Sequence, residues 1–143
     1  RPDATAEIMD SEGWLKSGDI ALIQPDGYMR IVDRKKDMIL VSGFNVYPNE
    51  LEDVMASLPE VLQSAAIGIP DEKTGELIKV FIVVKPGMTL SKEQVMAHMR
   101  ANLTAYKAPK VVEFRDSLPT TNVGKILRRE LRDEEMKKLG LKK

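Results

Sequence analysis

The sequence predicts an α+β fold, in which a small and mostly antiparallel sheet is flanked by helices and preceded by a separate β-hairpin. Strand-like and helix-like segments interleave without a strict βαβ repeat. Two β-rich segments, residues 64–69 and 77–85, are joined by a polar connector and should pair antiparallel. A capping box that begins at Ser91 opens a helix after them. These features favour one compact domain with a short additional segment.

The composition permits one hydrophobic core and excludes several classes of site. With 143 residues, 43% of them hydrophobic, the chain can bury roughly two-thirds of the surface that it exposes when unfolded. Lysine plus arginine and aspartate plus glutamate both number 22, so the net charge does not indicate a nucleic-acid partner. The chain has no cysteine and a single histidine, His98. We therefore predict no disulfide, no thiol nucleophile and no thiolate or histidine-rich metal site, and we assign no metal ligand to this chain.

The first predicted element is a β-hairpin. Apolar runs at residues 20–23 and 28–32 flank the turn sequence of residues 24–27, which contains an Asp-Gly pair. An Asp-Gly pair between apolar runs is a strong short-range hairpin signal. An isolated two-stranded hairpin is only marginally stable in water, so this hairpin should belong to a larger body.

A charged run at residues 33–37 marks the predicted domain boundary. We expect residues 1–35 to be the end of a large domain and residues 36–143 to form a small C-terminal domain. The chain starts at Arg1 without an initiator methionine or a signal-peptide pattern. The sequence is therefore expected to begin within a longer polypeptide.

The elements that follow the boundary alternate between strand and helix. Residues 38–41 are typical of a short strand, and residues 42–45 of a turn or glycine loop. Pro48 suits a first helical position, and the acidic residues after it favour the positive end of a helix that runs to about residue 58.

The last third of the chain adds two helices and a strand. The helix opened by Ser91 carries apolar residues at helical spacing. Residues 111–114 are a third strand candidate of the small domain. Residues 126–139 predict a charged helix that Gly140 ends, because glycine readily adopts the left-handed conformation after a helix.

Asp19 is the first candidate site residue. It lies directly before a predicted strand and follows Gly18 in a glycine-bracketed segment, residues 13–19. A carboxylate has two acceptor oxygens, which match the two adjacent hydroxyl donors of a vicinal diol such as a ribose. The alternative is an aspartate that only ends a turn.

Arg34 and a glycine loop form the second candidate. Arginine suits phosphate and ribose oxygens, and the loop of residues 42–44 lets backbone N–H groups approach a ligand closely. Taken alone, the charged run that contains Arg34 is more typical of a solvated surface than of a binding site.

Lys125 is the third candidate. It follows Gly124 on a loop that we expect to be flexible, at the start of a basic helix, and its long stem suits contact with an anionic group in another domain. The Gly-Lys pair is not a Walker phosphate loop, since the upstream glycine is missing and Ile126 stands where a hydroxyl residue would bind Mg²⁺. A solvated helix start is the alternative.

Taken in order, these three motifs resemble the adenylate-forming superfamily, which includes acyl-CoA synthetases, firefly luciferases and peptide-synthetase adenylation domains. The similarity extends from about Gly13 to about Glu135, and residues 33–52 are most similar to bacterial long-chain fatty-acid–CoA ligases. The resemblance implies a C-terminal lid domain of an acid–thiol ligase, which activates a fatty acid with ATP to acyl-AMP and transfers the acyl group to CoA. Because it lacks the large domain, the chain alone is not expected to turn over.

The resemblance implies a role for each nucleotide-side residue. Asp19 would accept hydrogen bonds from the ribose hydroxyls of ATP and of the acyl-adenylate. Arg34 would lie by the ribose and phosphate at the end of the large domain. Lys36 would be the hinge about which the small domain swings.

The resemblance also separates two groups of residues in the small domain. Ser42, Gly43 and Phe44 would line the CoA pantetheine tunnel during the second half-reaction. Lys125 would reach into the active site during the first half-reaction, as the catalytic residue that this chain contributes. A domain rotation would exchange the two groups.

The cofactors and partners are implied in the same way. They are ATP, CoA and Mg²⁺, whose site is expected in the large domain, together with that domain itself and a fatty acid. The longest apolar runs are far short of the roughly 20 residues of a spanning helix. We expect a cytoplasmic protein, and the basic end at residues 137–143 leaves peripheral contact with anionic lipid at the inner face of the membrane open.

Two other readings of the sequence stay open. The parent enzyme could act on medium-chain or aryl acids, because the acyl pocket would lie in the large domain. The chain could instead be an autonomous α+β binding module that uses the basic helix after Lys125 for nucleic acid. The balanced charge and the lack of aromatic stacking residues beside that helix argue against the second reading.

Overall fold

The computed structural model describes residues 1–141, which divide into two compact units. The first unit ends at Lys36, and the second begins at Asp37. The assignment of the first unit to a larger domain stays a prediction. Among residues 1–141, no helix is long and apolar enough to cross a membrane.

The first unit contains a short helix and the predicted hairpin. Helix α1 (Pro2–Ile8), which the sequence did not indicate, precedes strands β1 (Asp19–Ile23) and β2 (Met29–Arg34). The strands pair antiparallel, and Gly27 closes the turn with a φ of +87°. Most of both strands is exposed, including the side chains of Ile23 and Ile31.

The second unit interleaves strands and helices. Its strands are β3 (Ile39–Val41), β4 (Phe44–Val46), β5 (Val61–Asp71), β6 (Gly75–Val84) and β7 (Val111–Phe114). Its helices are α2 (Pro48–Ala56), α3 (Lys92–Asn102) and α4 (Arg128–Lys138), with a 3₁₀ turn at Ala105–Lys107.

The five strands of the second unit form one mixed sheet that is mostly antiparallel. The strand order is β4-β3-β6-β5, and β7 lies parallel to β6. Strands β5 and β6 pair over almost their whole length, while β3 meets β6 where Val41 pairs with Gly75. The predicted α+β architecture is thus confirmed.

Alternating side chains of β6 point into two hydrophobic clusters on opposite faces of the sheet, as the two-residue period of a strand requires. Val80 and Ile82 belong to the cluster that helices α2 and α3 cover. Phe81 belongs to the cluster that Leu131 of α4 covers. Because both faces are covered, β6 is almost continuously buried.

Two local signals read from the sequence form as predicted. The Ser91 hydroxyl accepts the Gln94 N–H (3.2 Å), and the Gln94 side chain accepts the Ser91 N–H (2.8 Å), which completes the capping box. Gly140 follows α4 with a φ of +69°, and the Leu141 N–H donates to the Met136 carbonyl (3.0 Å) in the pattern of a Schellman motif.

Two predicted boundaries are wrong. Phe44 and Asn45 begin strand β4 and are not part of a loop, because only Ser42 and Gly43 are needed to turn the chain between β3 and β4. Helix α4 begins at Arg128 and not at Ile126, because Ile126 forms a β-bridge with Thr120.

A network of charged side chains ties α4 to the sheet. The Lys79 ammonium on β6 lies 2.6 Å from Glu135 of α4 and 2.6 Å from Glu113 of β7. Glu113 also accepts from Arg115 (2.7 Å), and Glu135 from Lys138 (2.6 Å). Only 7% of the Lys79 side chain and 6% of the Glu135 side chain are exposed, so this pair is buried.

Candidate functional site

The first unit brings together the two predicted nucleotide-side residues. Asp19 begins β1 and Arg34 ends β2, so the two form a cross-strand pair. The Arg34 Nε lies 3.6 Å from the Asp19 Oδ1. The Gly18 carbonyl accepts the Lys35 N–H (2.8 Å), which holds the ends of the two strands together beside this pair.

The Asp19 side chain has the exposure and the acceptors that a diol would need. It is 28% exposed, and the Ser17 hydroxyl accepts its backbone N–H (3.2 Å). Each carboxylate oxygen has two lone pairs, so both oxygens can accept from hydroxyl donors while Arg34 stays beside Oδ1. Arg34 is 75% exposed, so its guanidinium is accessible to an anion.

The second unit holds the predicted CoA-side residues in the turn between β3 and β4 and at the first position of β4. Ser42 has a φ of +50° and Gly43 a φ of +84°, the two positive values that a type I′ turn requires. The Ser42 N–H donates to the Thr74 carbonyl (2.7 Å), which fastens the turn to the β5–β6 connection. Positive φ is costly for serine, and such strain is often found at functional sites.

Phe44 presents an exposed aromatic face next to this turn. Phe44 is 56% exposed as a residue, and its ring stacks on that of Tyr106, with the ring centroids 4.8 Å apart. Lys107 is held nearby by Glu50, which accepts its ammonium at 2.6 Å. The sequence did not indicate Tyr106, because it lies 62 positions after Phe44 and only the fold brings the rings together.

Lys125 ends a tight hairpin loop that is much more ordered than the flexible loop expected from sequence. The Gly124 N–H donates to the Thr121 carbonyl (2.9 Å), and the Thr121 N–H donates to the Lys125 carbonyl (2.8 Å). The Lys125 N–H donates to the Thr121 hydroxyl (3.1 Å). Gly124 has a φ of +80°, which fits a three-residue hairpin loop with a glycine bulge. The backbone of Lys125 is therefore fixed while its side chain stays exposed.

Arg128, which the sequence reasoning missed, anchors this loop to the rest of the second unit. Its guanidinium donates to both carboxylate oxygens of Glu52 (2.9 and 2.6 Å) and to the Asn49 side chain (2.6 Å). It also lies 3.3 Å from Asp37. The sequence does contain a signal for these contacts: an arginine at the start of one predicted helix and acidic residues in another predicted helix, with which it could pair.

The described residues offer no cluster of metal ligands. Within residues 1–141, no three histidine, aspartate or glutamate side chains lie close enough together to hold a metal ion. The Nε2 of His98 lies 2.8 Å from the Ser57 hydroxyl and 3.0 Å from the Val54 carbonyl, and so links α3 to the end of α2.

Residues 50–125 match the profile of the AMP-binding enzyme C-terminal domain. The chain belongs to this family. The matched segment runs from α2 through the sheet to Lys125, and so contains most of the second unit.

Individual relatives match this AMP-binding enzyme C-terminal domain and the hairpin before it. A long-chain-fatty-acid–CoA ligase from Yersinia pestis is 63% identical over 96% of this chain and 24% of its own length. The ATP-bound structure of MatB from Rhodopseudomonas palustris is 35% identical, with a TM-score of 0.88 over 96% of this chain and 27% of that one. A fatty acyl CoA synthetase from Mycobacterium tuberculosis is 40% identical, with a TM-score of 0.74 over the same shares. The chain spans about a quarter of the length of these relatives.

Proposed function

We propose that the chain is the C-terminal part of a long-chain fatty-acid–CoA ligase, with a small lid domain that begins at the Lys36 hinge. The similarity to a ligase of that name over nearly the whole chain supports this proposal. In the full-length enzyme, a carboxylic acid would react with ATP to give acyl-AMP and pyrophosphate, and the acyl group would then pass to the CoA thiol. Residues 1–35 would be the end of the large domain.

The exposed Lys125 on its hydrogen-bonded loop is the observation that carries the proposal. In the first half-reaction a carboxylate attacks the α-phosphate of ATP, so two negative groups must approach each other. A positioned ammonium stabilises that charge. Because the loop backbone is fixed, the position of the Lys125 stem follows the position of the whole domain.

The other site residues divide between nucleotide and CoA. Asp19 would bind the ribose diol and Arg34 the phosphate side, consistent with their exposed cross-strand pair. The strained turn at Ser42 and Gly43, with Phe44 beside it, would face the pantetheine arm of CoA. Magnesium would be bound by the large domain together with the phosphates of ATP.

The two half-reactions require different loops at one reaction centre. Lys125 in the active site would obstruct the incoming thiol, so the lid would rotate about Lys36 between the two steps. We propose that the enzyme is cytoplasmic and that the basic residues at positions 137–143 would supply contact with anionic lipid. Lys142 and Lys143, which contribute to that basic end, lie outside the described residues.

The proposed role of Lys125 in the first half-reaction alone is tested with Lys125→Ala in the full-length enzyme. ATP–pyrophosphate exchange should fall on the order of 10²- to 10³-fold, the loss typical of one preorganised charge-stabilising group. CoA transfer from preformed acyl-adenylate should stay near the wild-type rate. Lys92→Ala, which removes an exposed lysine at the start of α3, is the matched control and should leave both half-reactions unchanged.

Equal losses in both half-reactions would overturn the proposed role of Lys125.

The substrate class is tested separately with a series of fatty acids of increasing chain length and an aryl acid. A higher kcat/KM for long chains is expected, and a preference for aryl acids would show that the parent enzyme has another substrate.

A further inference from the structure

Arg128 stands where the Lys125 loop joins helix α4. It is the first residue of α4 and lies three positions after Lys125. Only 16% of its side chain is exposed, although the loop residues 122–125 are all exposed. A nearly buried arginine therefore fixes the C-terminal stem of an otherwise exposed loop.

The partners of Arg128 are themselves fixed. Glu52 accepts two hydrogen bonds from the guanidinium, and its Oε1 also accepts the Ala66 N–H of β5 (2.9 Å). Asn49 lies on the same helix as Glu52 and accepts from the guanidinium at 2.6 Å. The guanidinium is thus bound to a helix that is bonded to the central sheet.

Asp37 links these contacts of Arg128 to the start of the second unit. It is the residue directly after Lys36, and its carboxylate lies 3.3 Å from the Arg128 guanidinium. Asp37 is 21% exposed, and Glu52 is 18% exposed, so bulk water screens these pairs less than surface pairs. One side chain at the base of the Lys125 loop therefore contacts the residue that directly follows the proposed hinge.

The loop has a second anchor of a different kind. Leu118 before the loop is buried in the cluster beneath α4, and Ile126 after the loop packs against the same cluster. Apolar packing holds the loop onto the sheet but is non-directional. The four hydrogen bonds of Arg128 are directional, so they can set the angle at which the loop leaves the domain.

We propose that Arg128 is the positioning residue for Lys125, and that its contacts with Glu52, Asn49 and Asp37 make the loop turn with the hinge-side end of the domain as one body. This inference rests on the proposed role of Lys125. Arg128 itself does not touch the reacting atoms. Its effect is confined to the half-reaction that needs Lys125 in the active site.

The test measures both half-reactions of the full-length enzyme with Arg128→Ala and Arg128→Lys. Misplacement of a reacting group by about 1 Å can cost on the order of 10²-fold in rate, so Arg128→Ala should slow ATP–pyrophosphate exchange by about that factor. CoA transfer from preformed acyl-adenylate should change less than about threefold. Arg128→Lys keeps the charge but loses the bidentate fork, and should show an intermediate loss.

The neighbouring Arg129 is the matched control. It lies on the same helical turn, is 82% exposed and has an ion pair with Asp133 at 3.7 Å. Arg129→Ala should leave both half-reactions unchanged. An equal loss with Arg128→Ala and Arg129→Ala would contradict a specific positioning role.

A double variant separates positioning from a general loss of structure. If Arg128 acts through Lys125, then Lys125→Ala combined with Arg128→Ala should be no slower in exchange than Lys125→Ala alone. Multiplied losses, or equal losses in both half-reactions for Arg128→Ala, would overturn the inference. If Arg128→Ala does not fold, the same cycle with Arg128→Lys decides.

The Lys125→Ala and Arg128→Ala variants together separate the positioning role of Arg128 from the proposed function. A normal rate of ATP–pyrophosphate exchange in Lys125→Ala would contradict the proposed function. Slow exchange in Lys125→Ala together with a normal exchange rate in Arg128→Ala would contradict only the positioning role of Arg128.

Discussion

Replacement of Lys79 by methionine should destabilise the second unit strongly. The change removes the ammonium that lies 2.6 Å from both Glu113 and Glu135 but keeps a side chain of similar length. Because Glu135 is only 6% exposed, its carboxylate would remain buried with one cation fewer. Breaking a buried ion pair by removing one partner typically costs 3–5 kcal/mol.

The size of the loss depends on what the two carboxylates retain. Glu135 keeps Lys138 at 2.6 Å, and Glu113 keeps Arg115 at 2.7 Å. We therefore expect the lower end of the range, about 3 kcal/mol in the free energy of unfolding. Lys138→Met, which removes the cation that is 53% exposed, is the control and should cost about 1 kcal/mol or less.

Urea unfolding followed by far-UV circular dichroism measures these losses. Tryptophan fluorescence is unsuitable, because the single tryptophan, Trp14, lies in the first unit. The double variant Lys79→Met with Glu135→Leu should recover most of the stability, since an apolar pair of similar volume can replace a buried ion pair. If Lys79→Met lowered the free energy of unfolding by less than about 1 kcal/mol, or if the double variant recovered no stability, the stabilising role of Lys79 beside the buried Glu135 would be contradicted.

Three further predictions concern pH, packing and the hinge. Burial alone would raise the pKa of Glu113, but the hydrogen bonds from Lys79 and Arg115 outweigh it and hold the pKa at about 2 in place of 4.5. This carboxylate therefore stabilises the fold above pH 4.5 and loses its contribution as the pH falls to 2, so Glu113→Gln should flatten the fall in unfolding free energy measured across that window. Gly68→Ala should lower the Tm and cost about 1–3 kcal/mol, because the added Cβ would lie 2.8 Å from the buried Ile39 Cγ2, and an unchanged Tm would contradict this. Lys36→Pro fixes φ at the proposed hinge and should spare one half-reaction while slowing the other, and normal rates in both would exclude Lys36 as the hinge.

Local chemistry explains why much of the fold is readable from sequence. The hairpin around Gly27, the capping box at Ser91 and the helix stop at Gly140 are each specified by a few adjacent residues. The sheet pairing of β5 with β6 follows from two apolar runs joined by a short connector. These signals need no long-range contact, so the chain sequence is sufficient to predict them.

The missed features depend on contacts between distant residues. Nothing in the sequence next to Lys79 or Arg128 indicates a special role, yet the fold places each beside carboxylates that are far away in sequence and leaves little of either side chain exposed. The stacking of Phe44 on Tyr106 has the same origin. The order of the Lys125 loop was missed because its hydrogen bonds come from a glycine bulge, which sequence spacing alone does not separate from a flexible loop.

The proposed contact between Lys125 and the nucleotide can be tested in the full-length enzyme crystallised with an acyl-adenylate analogue. In one orientation of the lid, the Lys125 Nζ is expected about 2.7–2.9 Å from an oxygen of the bound analogue, the distance of a charge-assisted hydrogen bond. In the other orientation the turn at Ser42 and Gly43 should face the ligand. A lysine that stays remote from the analogue in every lid orientation would contradict the proposed role of Lys125.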